Sequence, residues 1–132
     1  MATTEINQTN FEALVGKGIV FVDAWASWCG PCRVFAPIFE AAALRHPDVV
    51  WAKLDTQRHP QIAGAFNVRA IPTLLVFRDG LLLYQQAGML PANALDELVR
   101  KTRSIDMAEV RRKLMESSRD RQLVDSGRTG TF

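Results

Sequence analysis

Apolar residues group along this chain in two kinds of pattern. Ile19-Val20-Phe21-Val22-Asp23-Ala24-Trp25 is almost continuously apolar and rich in β-branched and aromatic side chains. Such a run predicts a central strand buried on both faces. Asp23 is the one charged residue in it. Residues 49–54 and Thr73–Arg78 predict a second and a third strand, and Asp79-Gly80 a tight hairpin turn from which Leu81–Ala87 returns antiparallel. Helical spacing appears elsewhere. Val34, Phe35, Ile38, Phe39 and Ala42 share one face of a helix that opens near Pro31, where a missing N–H is tolerated. Pro37 lies inside it and predicts a kink, and His46-Pro47-Asp48 ends it. A short helix through Phe11, Leu14 and Val15 would be capped by Thr9 or Asn10 and broken by Gly16 and Gly18. Ile62, Ala63 and Phe66 suggest another between Pro60 and Asn67, and a third opens at Pro91 with Leu95, Leu98 and Val99 inward. Strands separated by helices and followed by one hairpin predict an α/β domain, a mixed sheet with helices on both faces.

After Arg103 the pattern changes, which divides the chain into a domain of residues 1–103 and an extension of residues 104–132. Asp106 with Glu109 three positions on resembles a capping box. Met107, Val110 and Leu114 line one face, with Arg111, Arg112 and Lys113 opposite, which predicts an amphipathic helix over about 106–118. From Ser117 onward the chain is polar, and a disordered tail is expected there. The extension reads as a helix packed on the domain or pairing with a second copy, so self-association through 104–132 is open.

Composition adds limits. The 132 residues are 48% hydrophobic and 23% charged, as in a single soluble domain large enough to bury a core without staples. No apolar run is long enough to span a membrane. Residues 1–10 show no apolar h-region, so a cytoplasmic location is expected. The net charge of +2 is unevenly spread: residues 100–132 carry nine Lys/Arg against five Asp/Glu. That tail could meet an acidic partner. Its single aromatic residue, Phe132, argues against stacking on nucleic-acid bases.

The chemistry lies in two cysteines, Cys29 and Cys32, the only ones in the chain. A disulfide closing so small a ring would constrain little of the unfolded chain, so the pair reads as redox or metal chemistry rather than as a staple. A zinc site wants four ligands, and the only histidines, His46 and His59, each sit beside a loop proline. No metal site is expected. Cys29 falls at a helix N-terminus, where unpaired N–H groups and the helix dipole favour a thiolate, the attacking species. Cys32 lies one turn further in, placed to resolve a mixed disulfide. Asp23, a carboxylate in an apolar strand, would have a raised pKa suited to accepting the Cys32 proton, and Lys53 in a neighbouring strand could partner it. A hydrogen-bonded structural Asp and a surface lysine with a buried stem remain the plain alternatives. Pro72 should sit at the start of its strand, since it cannot donate to the ladder.

Taken together, these segments resemble the thioredoxin family over about residues 5–103. The resemblance rests on Val22-Asp23-Ala24-Trp25-Ala26-Ser27-Trp28-Cys29-Gly30-Pro31-Cys32-Arg33, Ala36-Pro37, Ala52-Lys53-Leu54-Asp55, Ile71-Pro72-Thr73, Phe77-Arg78-Asp79-Gly80 and Gly88 in that order. It implies the thioredoxin fold and reduction of protein disulfides, with Cys29 as nucleophile, Cys32 as resolving thiol, and Asp23 with Lys53 as the buried proton-transfer pair. It implies a cis Ile71–Pro72 bond, and backbone at Ala70 and Ile71 pairing with substrate. Trp28, Gly30, Pro31, Ile71, Pro72 and Gly88 would then meet the substrate. No bound cofactor is implied: electrons would come from NADPH through a thioredoxin reductase, and the other partners would be disulfide-containing proteins. Gly30-Pro31 is the dipeptide of reducing members, whereas oxidising relatives usually carry His there. The run from Cys32 to Glu40 looks like the bacterial thioredoxin-2 subgroup, though the four-cysteine zinc module of many such proteins has no counterpart in this sequence. Ala24 departs from the usual Phe or Tyr, Arg33 from a common Lys, and the extension from the minimal family member. The competing reading is a scaffold that uses the fold without turnover and docks a partner through residues 104–132.

Overall fold

The computed structural model describes residues 2–129, with side chains to Gln122. Its elements run β1 (Thr4–Glu5), α1 (Phe11–Val15), β2 (Ile19–Trp25), α2 (Gly30–Arg45), β3 (Val50–Asp55), α3 (Pro60–Ala65), β4 (Thr73–Arg78), β5 (Leu81–Ala87), α4 (Ala92–Ser104) and α5 (Met107–Thr129). The five strands form one sheet in the order β1-β3-β2-β4-β5. β1 and β2 pair parallel with β3, and β4 pairs antiparallel with β2 and β5. The expected mixed sheet is therefore present. β1 escaped the sequence pattern because two residues are too few to show a period.

Alternation along β2 sorts its side chains between two cores. Val20, Val22 and Ala24 pack with Ala52, Leu54, Leu75 and Phe77 against Val15, Ile62 and Ala63 of α1 and α3. Phe21 packs with Trp51, Leu74 and Val76 against Phe35 and Phe39 of α2 and Leu95 and Val99 of α4. Asp23 shares the parity of Phe21 and so faces the α2 side. The sheet is covered on both faces, which explains why β2, apart from Asp23, and the middle of β4 read as apolar runs.

Local chemistry sets the boundaries. Asp79 and Gly80 both have positive φ, 51° and 85°, as a two-residue hairpin turn of this hand requires. Asn10 flanks α1 but makes no side-chain cap. Its carboxamide turns back instead, accepting from Asn7 N–H at 2.8 Å and donating to the Glu5 carbonyl at 2.9 Å. Asn7 Oδ1 accepts from the Thr9 and Asn10 N–H groups, so an Asn turn replaces the expected cap.

The last helix departs most from expectation. It begins where the sequence placed it, with Asp106 Oδ1 accepting from Ala108 and Glu109 N–H at 3.1 and 3.2 Å. It then continues to Thr129 rather than ending near 118 and giving way to a disordered tail. No proline interrupts residues 107–129, and Arg112 pairs with both Glu109 and Glu116 at helical spacing. The rest of the expected tail, residues 130–132, lies outside the described residues. The first turn packs on the domain, with Met107 buried and Val110 half-buried; residues 111–122 are exposed, Arg111 reaching back to Asp79 at 3.8 Å.

Candidate active site

Cys29 is the N-cap of α2, with extended backbone (φ −87°, ψ 115°) and its sulfur accepting from Cys32 N–H at 3.2 Å. Pro31 occupies the first turn, where its missing N–H leaves no intrahelical bond unmade. Cys29 and Cys32 are joined as a disulfide with their Cα atoms 5.2 Å apart. Both are buried, at 4% and 2% exposure. Among the described residues no three His, Cys, Asp or Glu side chains gather as a metal-binding group.

A second loop closes over the pair. The Ile71–Pro72 bond is cis, and the Ile71 carbonyl oxygen lies 3.7 Å from Cys29 Sγ. Pro72 is buried at the mouth of β4, Ala70 is exposed, and the Ala70 carbonyl accepts from Thr73 Oγ1. Gly88 N–H donates to the Pro72 carbonyl at 2.8 Å, and the Gly88 backbone has φ 101°, a region closed to most side chains. Around the disulfide, Gly30, Pro31 and Gly88 are exposed and Ile71 is half-exposed. Trp28 stands 63% exposed and Met89 47% exposed, so large apolar surface faces solvent here. Met89 was not singled out in the sequence, since one methionine after a glycine carries no pattern.

Asp23 is completely buried, and neither carboxylate oxygen accepts a hydrogen bond among the described residues. Lys53 sits opposite it in the β2–β3 register, its ammonium 3.5 Å from Asp23 Oδ2, an ion-pair rather than a hydrogen-bond contact. Burial pushes the Asp23 carboxyl up to about 6, and the Lys53 charge opposes that rise without cancelling it. Trp25 was overlooked in the sequence. Two residues beyond Asp23 on the same face, its ring lies under the Lys53 ammonium at 5.0 Å. The alternation that placed Asp23 could have found it. The structure thus brings Asp23 together with Lys53, Cys29 together with Cys32 and the Ile71 carbonyl, and Gly88 together with Pro72.

The Thioredoxin family model matches residues 2–101. The chain belongs to the thioredoxin family. Among curated relatives, the "Putative thioredoxin 2" of Streptomyces coelicolor is 40% identical over 116 residues, 87% of this chain and 87% of that protein. The thioredoxin of Bacillus subtilis is 38% identical over 102 residues, 76% of this chain and 98% of its own. Among solved structures, a mutant thioredoxin from Halobacterium salinarum superposes with a TM-score of 0.73 at 29% identity, covering 79% of this chain and 93% of that one. With the paired cysteines at the head of α2, family membership assigns thiol–disulfide redox chemistry to this thioredoxin-family chain. No described helix is long and apolar enough to cross a membrane.

Proposed function

We propose that the chain is a protein-disulfide reductase working through the Cys29/Cys32 dithiol. The observation that carries this reading is the seat of the two sulfurs: at the N-terminus of α2, on the sheet face of a buried carboxylate, beneath exposed apolar surface. In the reduced protein the Cys29 thiolate attacks one sulfur of a substrate disulfide, and the other leaves as a thiolate that takes a proton. Helix N–H groups and the dipole stabilise the attacking charge. Cys32 then gives its proton to Asp23, its sulfur keeping the electron pair. The Cys32 thiolate attacks Cys29 Sγ, forming the Cys29–Cys32 disulfide and breaking the mixed disulfide. The second substrate sulfur leaves as a thiolate that takes a proton, and two electrons have passed to the substrate. Asp23 serves as base because its carboxyl is pushed up to about 6 and, among the described residues, no hydrogen bond holds its oxygens. The Lys53 ammonium keeps enough of it ionised to accept.

Trp28, Gly30, Pro31, Met89 and Gly88 would form the apolar contact surface, and the backbone at Ala70 and Ile71 would pair with an extended substrate segment. Oxidised Cys29–Cys32 would be returned to the dithiol by a thioredoxin reductase drawing on NADPH. Insulin reduction coupled to NADPH and a bacterial thioredoxin reductase tests the reading. Wild-type chain should turn over many times, and Cys29→Ser should abolish turnover. Full turnover by that variant, or none by the wild type with any bacterial reductase or with dithiothreitol, would overturn it.

A further inference from the structure

The Asp23–Lys53 pair does not end at Lys53. Strand register carries the row one step further, because Lys53 is also the Cα partner of Glu5 in β1. Cross-strand partners share a face of the sheet, so Glu5, Lys53 and Asp23 stand in line across three strands, on the side of α2. The line runs from solvent inward: Glu5 is exposed, Lys53 is about 20% exposed at its side chain, and Asp23 is fully buried. Beyond Asp23 the row meets apolar Leu74 on β4. A small polar pocket opens on the Lys53 end, lined by Glu5, Trp25, Lys53, Asp55, Arg58 and His59 among others. The edge strand is itself held to α2, where Glu40 accepts from Ala2 N–H and Thr3 Oγ1, both at 2.9 Å.

We propose that Glu5 is a positioning residue that shares the Lys53 ammonium with Asp23 and so sets how readily Asp23 takes the Cys32 proton. The proposal rests on the proton-acceptor role given to Asp23 above. When the Cys32 proton arrives, Asp23 becomes neutral and Lys53 loses its counter-charge in a half-buried position over the Trp25 ring. Glu5 is the next carboxylate in the row, on the pocket side, and can take up the ammonium. With Glu5 present the protonated state of Asp23 costs less. Without it, Lys53 stays committed to Asp23 and favours the ionised carboxylate. The direct field of the Glu5 charge acts in the same direction, so the sign is fixed: removing the Glu5 charge lowers the pH at which Asp23 titrates. The other charged or titratable groups on the elements around the row are Asp55 on β3 and Arg58 and His59 before α3, which line the pocket, and Glu40 and the two cysteines on α2 and at its head. None of these is a strand-register partner of Lys53 on its outer side.

The test follows the Asp23 carboxyl carbon by NMR in the oxidised protein, across pH 4 to 9. Two strand spacings separate Glu5 from Asp23, roughly 10 Å, so Glu5→Gln should lower the Asp23 midpoint by about 0.3 to 1 pH unit. Glu5→Asp should retain most of the wild-type midpoint. In a Lys53→Met background the effect of Glu5→Gln should shrink to less than half. An unchanged midpoint in Glu5→Gln overturns the proposal, as does a Glu5→Asp midpoint equal to that of Glu5→Gln. An undiminished effect in the Lys53→Met background would leave only a through-space field and would also overturn the sharing of Lys53. No substrate or reductase enters the measurement, so it can fail while insulin reduction succeeds, and the reverse.

Discussion

Asp23 is held in the fold at a cost that depends on pH. Its carboxyl titrates near 6 in the folded chain against 3.8 for a free side chain, with burial as the leading cause. A carboxyl whose folded pKa is raised binds its proton more tightly folded than unfolded. Its stabilising contribution is therefore complete below pH 3.8 and is lost as pH rises through about 6. Two pH units correspond to roughly 3 kcal/mol. Asp23→Asn should accordingly raise stability by up to about 3 kcal/mol at pH 7 and have little effect near pH 4. Urea unfolding at the two pH values checks this, and equal gains at both would show that desolvation of the charge is not what the residue costs. The same variant should leave formation of the mixed disulfide at Cys29 intact and slow its resolution by Cys32. Rapid-mixing kinetics with a chromophoric disulfide would separate the two steps. Asp23 and Lys53 were legible in the sequence, because a lone charge in an apolar strand stands out. Trp25 was within reach of the same alternation and was overlooked. Glu5 was not legible, because its meaning comes from register, and register between strands far apart in sequence is fixed only by the folded sheet.

At the scale of elements, the joint between α4 and α5 depends on one side chain from the sheet. Arg78, the last residue of β4, donates through Nη1 to the carbonyls of Thr102 and Ile105, both at 2.7 Å. These carbonyls lie in the last turn of α4 or just past it, where intrahelical donors run out, and that of Thr102 otherwise takes a longer bond from Ile105 N–H at 3.4 Å. A charged donor spread over a helix C-terminus satisfies them and complements the dipole at once. Arg78→Met should therefore cost about 1.5–3 kcal/mol, the range for a hydrogen bond to a charged group. The loss should be local first: amide exchange should quicken in residues 102–106 before it does in β2. Uniform quickening across the sheet would place the role of Arg78 in the global core instead. No residue pattern pointed to this clamp, since an arginine closing a strand before a hairpin reads as an ordinary exposed residue. The hairpin itself was plain from Asp79-Gly80, and the α2 helix from its apolar spacing, because turn chemistry and helical period are local properties.

At the scale of the whole molecule, the redox loop and the extension occupy opposite ends of the sheet. β2 starts at Ile19, paired with Arg78, and delivers the cysteine loop just after Trp25, near where Ala24 pairs with Thr73. Seven residues of strand span about 20 Å. α5 roots at the far end, where Arg111 lies 3.8 Å from Asp79 in the hairpin turn and Met107 is buried. Two truncations separate what the extension does for the fold from what it does for the chemistry. A chain ending at residue 110 keeps Asp106, Met107 and Val110 and removes helix that is exposed as far as it is described, together with the exposed Arg111–Asp79 ion pair, which contributes little. Its stability should stay within about 1 kcal/mol of the full chain, because exposed residues away from special contacts contribute little. A chain ending at residue 105 also loses the buried Met107 side chain and the Asp106 cap. It should fall by a further 2 kcal/mol or so, the lower end of the cost of emptying a buried methionine site. Both should reduce a small disulfide at rates within about twofold of the full chain, since nothing at the α5 root touches the sulfurs or Asp23. Denaturant midpoints and single-turnover rates on the three chains check this together. A rate loss that tracks the truncation while stability holds would mean the extension acts on the redox end after all, along the length of the sheet or through a second molecule.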